Sequence, residues 1–171
     1  QKISGYKQID LFEKIFFRQN ENVSHTLNFQ YSTSSDVPFY SRLTQLSGTA
    51  PRYGEWYYGP QKRLFGSYTL NLKRDQGMYD HGRIIAAYQD IEESRHDRGF
   101  KKDILNNRIE KIGVVTFNAD FDRKVRKHEI RYGFEATYNN VKSEAFRKNI
   151  VTGATGPLDT RYPDGGSVMS S

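Results

Sequence analysis

Apolar and polar positions alternate with a period of two along most of this chain. Ile130, Tyr132, Phe134, Ala136 and Tyr138 fall on one side, and Arg131, Gly133, Glu135, Thr137 and Asn139 on the other. Val115, Phe117, Ala119 and Phe121 alternate with Thr116, Asn118 and Asp120, and Leu27, Phe29 and Tyr31 with Asn28, Gln30 and Ser32. Leu64, Tyr68, Leu70 and Leu72 repeat the pattern with Gly66 on the apolar side. Ile9, Leu11, Ile15 and Phe17 repeat it with Phe12 and Glu13 out of place. Such a period belongs to strands with one apolar face. It predicts six strands, at about 6–18, 24–34, 63–73, 81–93, 108–121 and 127–142. Several exceed the ~5–6 residues usual in globular proteins and match the ~9–11 that a tilted strand needs to cross a bilayer.

The connections alternate too. Short polar turns follow the first, third and fifth strands, whereas long segments at about 35–62, 94–107 and 143–171 follow the second, fourth and sixth. In an up-and-down sheet every short turn then lies at one end and every long loop at the other, the asymmetry of transmembrane β-barrels. The expected fold is all-β: an antiparallel up-and-down transmembrane β-barrel segment. Six strands fall short of the ~8 that the smallest such barrels use. Residues 1–171 therefore read as a partial β-barrel domain that needs further strands, in this polypeptide or in others. A soluble β-sandwich or lipocalin-like barrel shows the same alternation. The one-sided loop lengths, and charges such as Asp120, Arg131 and Glu135 on the polar face of the longest strands, weigh against it.

Composition sharpens this reading. Hydrophobic residues make up 36% of the chain and the mean hydropathy is −0.81, and no apolar run approaches the ~20 residues of a spanning helix. The 14% aromatic content is too high for a simple disordered chain. A lipid-facing apolar half averaged with a polar half gives such values. The absence of Cys excludes disulfides, zinc–thiolate sites, iron–sulfur clusters and thiol nucleophiles. The net charge of +6 is scattered, so no nucleic-acid partner is expected. No nucleophile elbow, phosphate loop, HExxH motif or paired-carboxylate motif occurs, and no enzyme activity is expected.

The stretches 29–43 (FQYSTSSDVPFYSRL), 53–64 (YGEWYYGPQKRL), 86–100 (AAYQDIEESRHDRGF), 107–121 (NRIEKIGVVTFNADF) and 161–167 (RYPDGGS) resemble the barrel of TonB-dependent outer-membrane receptors. The likeness covers nearly the whole chain and is greatest to iron-siderophore and haem-type receptors of Bacteroidota. It implies a larger barrel of ~22 strands, located in the bacterial outer membrane and filled by a plug domain that this chain lacks. It also implies partners: outer-membrane lipid, the remainder of the barrel and plug, and the TonB complex acting through the plug. The implied function is energised import of a scarce substrate, a ferric siderophore or haem being cargo rather than a cofactor of this segment. The alternatives are a non-energised outer-membrane channel or adhesion barrel, or a soluble β-sandwich binding module.

Candidate substrate-binding residues lie in the long loops. Segment 35–62 concentrates aromatic and Arg residues, among them Tyr40, Arg42, Arg52, Tyr53 and Trp56. These types dominate binding hot spots, and Arg pairs with the oxygens of an anionic chelate. The competing reading makes 55–58 an interfacial aromatic belt. His96 is a candidate haem ligand, against the simpler reading of a solvated loop histidine. No metal site is expected: Asp90, Glu92, Glu93, Asp97 and Asp103 match no calcium-loop spacing.

Overall fold

The computed structural model describes residues 5–75, 77–163 and 165–170. The chain is 72% strand and 2% helix. Six long strands and four short ones make a ten-stranded antiparallel sheet. The long ones are β1 (Gln8–Arg18), β2 (Val23–Ser34), β7 (Lys62–Lys73), β8 (His81–Gly99), β9 (Ile104–Val125) and β10 (His128–Asn149), joined in sequence order. Between β2 and β7 lie β3 (Val37–Pro38), helix α1 (Tyr40–Leu43), the small hairpin β4 (Leu46–Ser47) with β5 (Ala50–Pro51), and β6 (Tyr53–Tyr58). After β10 come β11 (Thr155–Pro157) and β12 (Gly166–Ser170), both paired with β10.

Three expectations about loops change. Segment 94–107 is mostly strand: β8 runs to Gly99, β9 starts at Ile104, and only a tight turn with Lys101 at φ +54° remains. Segment 35–62 is not a free loop, because β6 continues the column of β7 along β8, from Tyr58 opposite Arg95 to Tyr53 opposite Gly99. Segment 143–171 begins as strand up to Asn149 and then starts a further column through β11 and β12. The cause is common to all three. Beyond about Glu92 neither face is uniformly apolar, so the two-residue hydrophobic signal fades. Pairing there is held by cross-strand polar contacts, such as Asn106 Nδ2 donating to Asp97 Oδ2 at 2.8 Å.

The short turns are built as their residues suggest. At the first, Asn20 Oδ1 accepts from the Asn22 N–H at 2.8 Å, an Asx-type turn. At the third, Val125 opposes His128 and Arg126 takes φ +57°, giving a two-residue hairpin. At the second, Asp80 clamps β9. Its carboxylate accepts the Lys124 N–H at 2.7 Å and pairs with Arg123 at 2.8 Å. The Lys124 N–H above all, and Arg123 with it, holds the Asp80 carboxyl below the usual carboxylate range.

The strand register separates two faces across the whole sheet. One rung runs Leu27–Tyr68–Ala86–Phe117–Ala136, another Leu70–Ile84–Ala119–Phe134. The opposite face carries Ser24, Asn71, Arg83 and Asp120 on one rung and Thr26, Thr69, Asn118 and Glu135 near it. No second layer covers either face among the described residues; the only buried hydrophobic side chains there are Trp56 and Ala119. The chain exposes 12242 Å², against about 8,700 Å² for a compact monomer of its mass. Neither β1 nor the β10–β12 side pairs with the other, so the sheet is open.

Candidate ligand-binding wall

The polar face continues without a register break from the sheet into its long-loop end. There Trp56 stands opposite Asp97 and Tyr58 opposite Arg95, with Asn106, Arg108, Ala145 and Arg147 completing the rungs. Trp56 is the anchor. It is 7% exposed, its ring lies 5.1 Å from Phe39 and meets Tyr58 edge-on at 4.9 Å, and the Arg42 guanidinium sits 5.8 Å above it. The Phe39 N–H donates to the Trp56 carbonyl at 3.1 Å, which ties α1 back onto β6. The cluster therefore combines aromatic edge-to-face packing with a cation–π contact.

Arg108 pairs with Asp97 at 3.2 Å. Arg95 and Arg147 make no ion pair among the described residues. They leave two guanidinium forks on the face that bears the aromatic cluster, a combination suited to an anion with a flat apolar part. Glu93 opposes Glu110 one rung below the Arg95–Arg108 pair. Like charges directly opposite are unfavourable in a sheet, and the alternation of acidic and basic rungs offsets part of that cost diagonally.

Of the sequence-derived candidates, Arg42 and Trp56 come together here. Tyr53 pairs with Gly99, and the bulge between Tyr53 and Glu55 returns it to the Trp56 side; Arg52 lies 5.3 Å over its ring. Tyr40 is exposed on α1. His96 does not join them. It pairs with Tyr57 and Asn107, which places it on the other face, stacked on Tyr57 at 4.7 Å. Both its ring nitrogens are engaged, Nδ1 with Asn107 Oδ1 at 2.7 Å and Nε2 with Ser94 Oγ at 2.9 Å. That orientation turns His96 away from the face that bears Trp56. Burial pushes the Tyr57 phenol up, with the Asp36 and Glu55 carboxylates adding to it. Arg108 and Arg147 were missed by loop-based reading. Only the register, extended past the end of the hydrophobic alternation, puts them on the face that bears Trp56.

No protein-family model matches the chain, and no curated protein matches it.

Proposed function

We propose that this chain is a stretch of the wall of an outer-membrane β-barrel of the TonB-dependent receptor type, serving uptake of an anionic ferric chelate through the complete barrel. The observation that carries the reading is the apolar band on one face. On β9 it runs from Val115 to Phe121, the Asp90–Gly113–Asn140 rung borders it above, and charged rungs frame the whole. Lys62, Glu92, Lys111 and Lys142 share the upper rung, with Glu92 bridging Lys62 at 3.1 Å and Lys111 at 3.3 Å. Arg123 marks the lower one. Lys111 and Arg123 stand twelve positions apart on β9. At ~3.3 Å per residue and a tilt of ~40° this spans about 30 Å, the thickness of a bilayer core.

The polar opposite face suits a barrel interior, and the excess exposed area is the surface that lipid and the rest of a barrel would cover. The two open edges require further strands, since lipid satisfies no backbone hydrogen bond. The aromatic and Arg wall at the long-loop end would then face the entrance. A siderophore is favoured over haem as cargo, because the histidine of this region points to the other face. Transport also requires a plug and its energy-coupling partner, neither of which lies in residues 1–171.

Single cysteines test the two faces. In membranes, Val115→Cys should react with a lipid-soluble maleimide and resist a water-soluble one, and Thr116→Cys should react with the water-soluble reagent. Equal aqueous labelling of both would exclude the membrane assignment and favour a soluble binding module.

A further inference from the structure

We propose that Ser94, His96 and Asn107 form a nucleophilic triad on the outer side of the long-loop end, competent to cleave a small carboxylic ester. Ser94 and His96 are two residues apart on β8, and Asn107 stands opposite His96 on β9, so all three share one face. The order of donors follows from the network. Asn107 Nδ2 donates to the carbonyl oxygens of Leu105 at 3.2 Å and Phe146 at 3.5 Å, which turns Oδ1 toward His96. That oxygen can only accept, so His96 Nδ1 carries the proton. Nε2 is left with its lone pair and accepts the Ser94 hydroxyl at 2.9 Å. A hydroxyl, a base bonded to it and a third group that orients the base make up the activated-nucleophile arrangement. Tyr57, 18° from coplanar with the imidazole, fixes the ring plane. Ser94 and Asn107 are 8% and 6% exposed, so bulk water competes little for these bonds.

Gly59 is what permits the serine rotamer. It continues the β6 column beside Ser94, its N–H donating to the Ser94 carbonyl at 3.0 Å. A Cβ on Gly59 would overlap Ser94 Oγ and lie 2.7 Å from His96 Nε2. Its φ lies outside the left-handed region, so space rather than backbone conformation calls for glycine here. Ile109, directly opposite Ser94, offers apolar contact to a short acyl group.

The step balances within the triad. Ser94 Oγ bonds to the carbonyl carbon while its proton passes to Nε2. The tetrahedral adduct collapses, the ester C–O bond breaks, and the alcohol leaves with the Nε2 proton. Water repeats the sequence on the acyl-serine, releasing the carboxylic acid and restoring the hydroxyl. The activity is independent of the transport reading, since it needs only the β6–β8–β9 register.

The full chain in detergent micelles, its strand content checked by circular dichroism, is treated with a fluorophosphonate probe and with p-nitrophenyl butyrate. Expected are covalent labelling mapped to Ser94 and saturable hydrolysis, both lost in Ser94→Ala. Asn107→Ala should lower kcat on the order of 10²–10⁴-fold with little change in KM, and Gly59→Ala should lower it as well. Nitrogen-15 NMR of the wild-type protein should show the Nδ1–H tautomer at His96. Unlabelled folded wild-type protein, labelling that survives Ser94→Ala, or an Nε2–H tautomer would each overturn the proposal and leave the three residues as a structural ladder.

Discussion

At the residue scale, a few side chains do most of the ordering at each end of the sheet. Trp56 fixes α1 and β3 against β6 through Phe39, Tyr58 and Arg42. Trp56→Ala should therefore destabilise the long-loop end by about 3–5 kcal/mol, the usual cost of deleting a packed large aromatic. Urea titration against wild type checks this, with loss of β6 protection in hydrogen exchange as the local readout. At the opposite end Asp80 ties its turn to β9. Its carboxyl is held below the usual range when folded, so it binds a proton less readily in the native than in the unfolded state. Its contribution is fully present above the ordinary carboxylate pKa and is lost as pH falls through the lowered native value. Asp80→Asn should flatten the acid limb of stability below about pH 4, measured by thermal melts across pH; an unchanged limb would show that other carboxylates set it. Residue types alone pointed to Trp56 and Arg42. They misplaced His96, because a histidine's direction depends on strand parity rather than on its neighbours in sequence.

At the element scale, β1 is the strand that departs from the common pattern. Glu13 shares the apolar rung of Phe29, Tyr88 and Val115, while Phe12 and Phe16 lie on the polar side at 66% and 56% exposure. A carboxylate on a lipid-facing rung is unfavourable, though less so than Lys or Arg there. Under the proposed barrel-wall reading, Glu13→Leu should stabilise the sheet by about 1 kcal/mol, read from urea unfolding in lipid vesicles. In a soluble protein the same change would enlarge an exposed apolar patch and promote aggregation instead. The faces of β2, β7 and β10 were legible because their apolar residues recur every second position. β8 and β9 were legible only in part: past Glu92 both faces are polar, and a period needs contrast between faces to be read.

At the scale of the whole molecule, the described residues form a single layer with an open edge on each side and bury only Trp56 and Ala119 among the hydrophobic side chains. In an aqueous medium the chain should associate through its open edges, β1 and the β10–β12 side. Analytical ultracentrifugation should show polydisperse aggregates without detergent, and flotation with liposomes should recover the chain in the lipid fraction. A cooperative, detergent-free monomer would contradict the barrel-wall proposal. Short turns gathered at one end and extended strands at the other are the global counterpart of the alternation in connection length.

Local patterning along the chain specifies an all-β, antiparallel meander with one apolar and one polar face. Both follow from local pleat geometry and turn chemistry, which neighbouring residues carry. Long-range strand pairing sets how far β8, β9 and β10 extend, how β6 continues the column of β7, and which loop residues share a face. These depend on register, and register is fixed by pairing between residues far apart in the chain. The separation of His96 from Trp56 and its union with Asn107 are consequences of that pairing, whereas Ser94 joins it by strand parity.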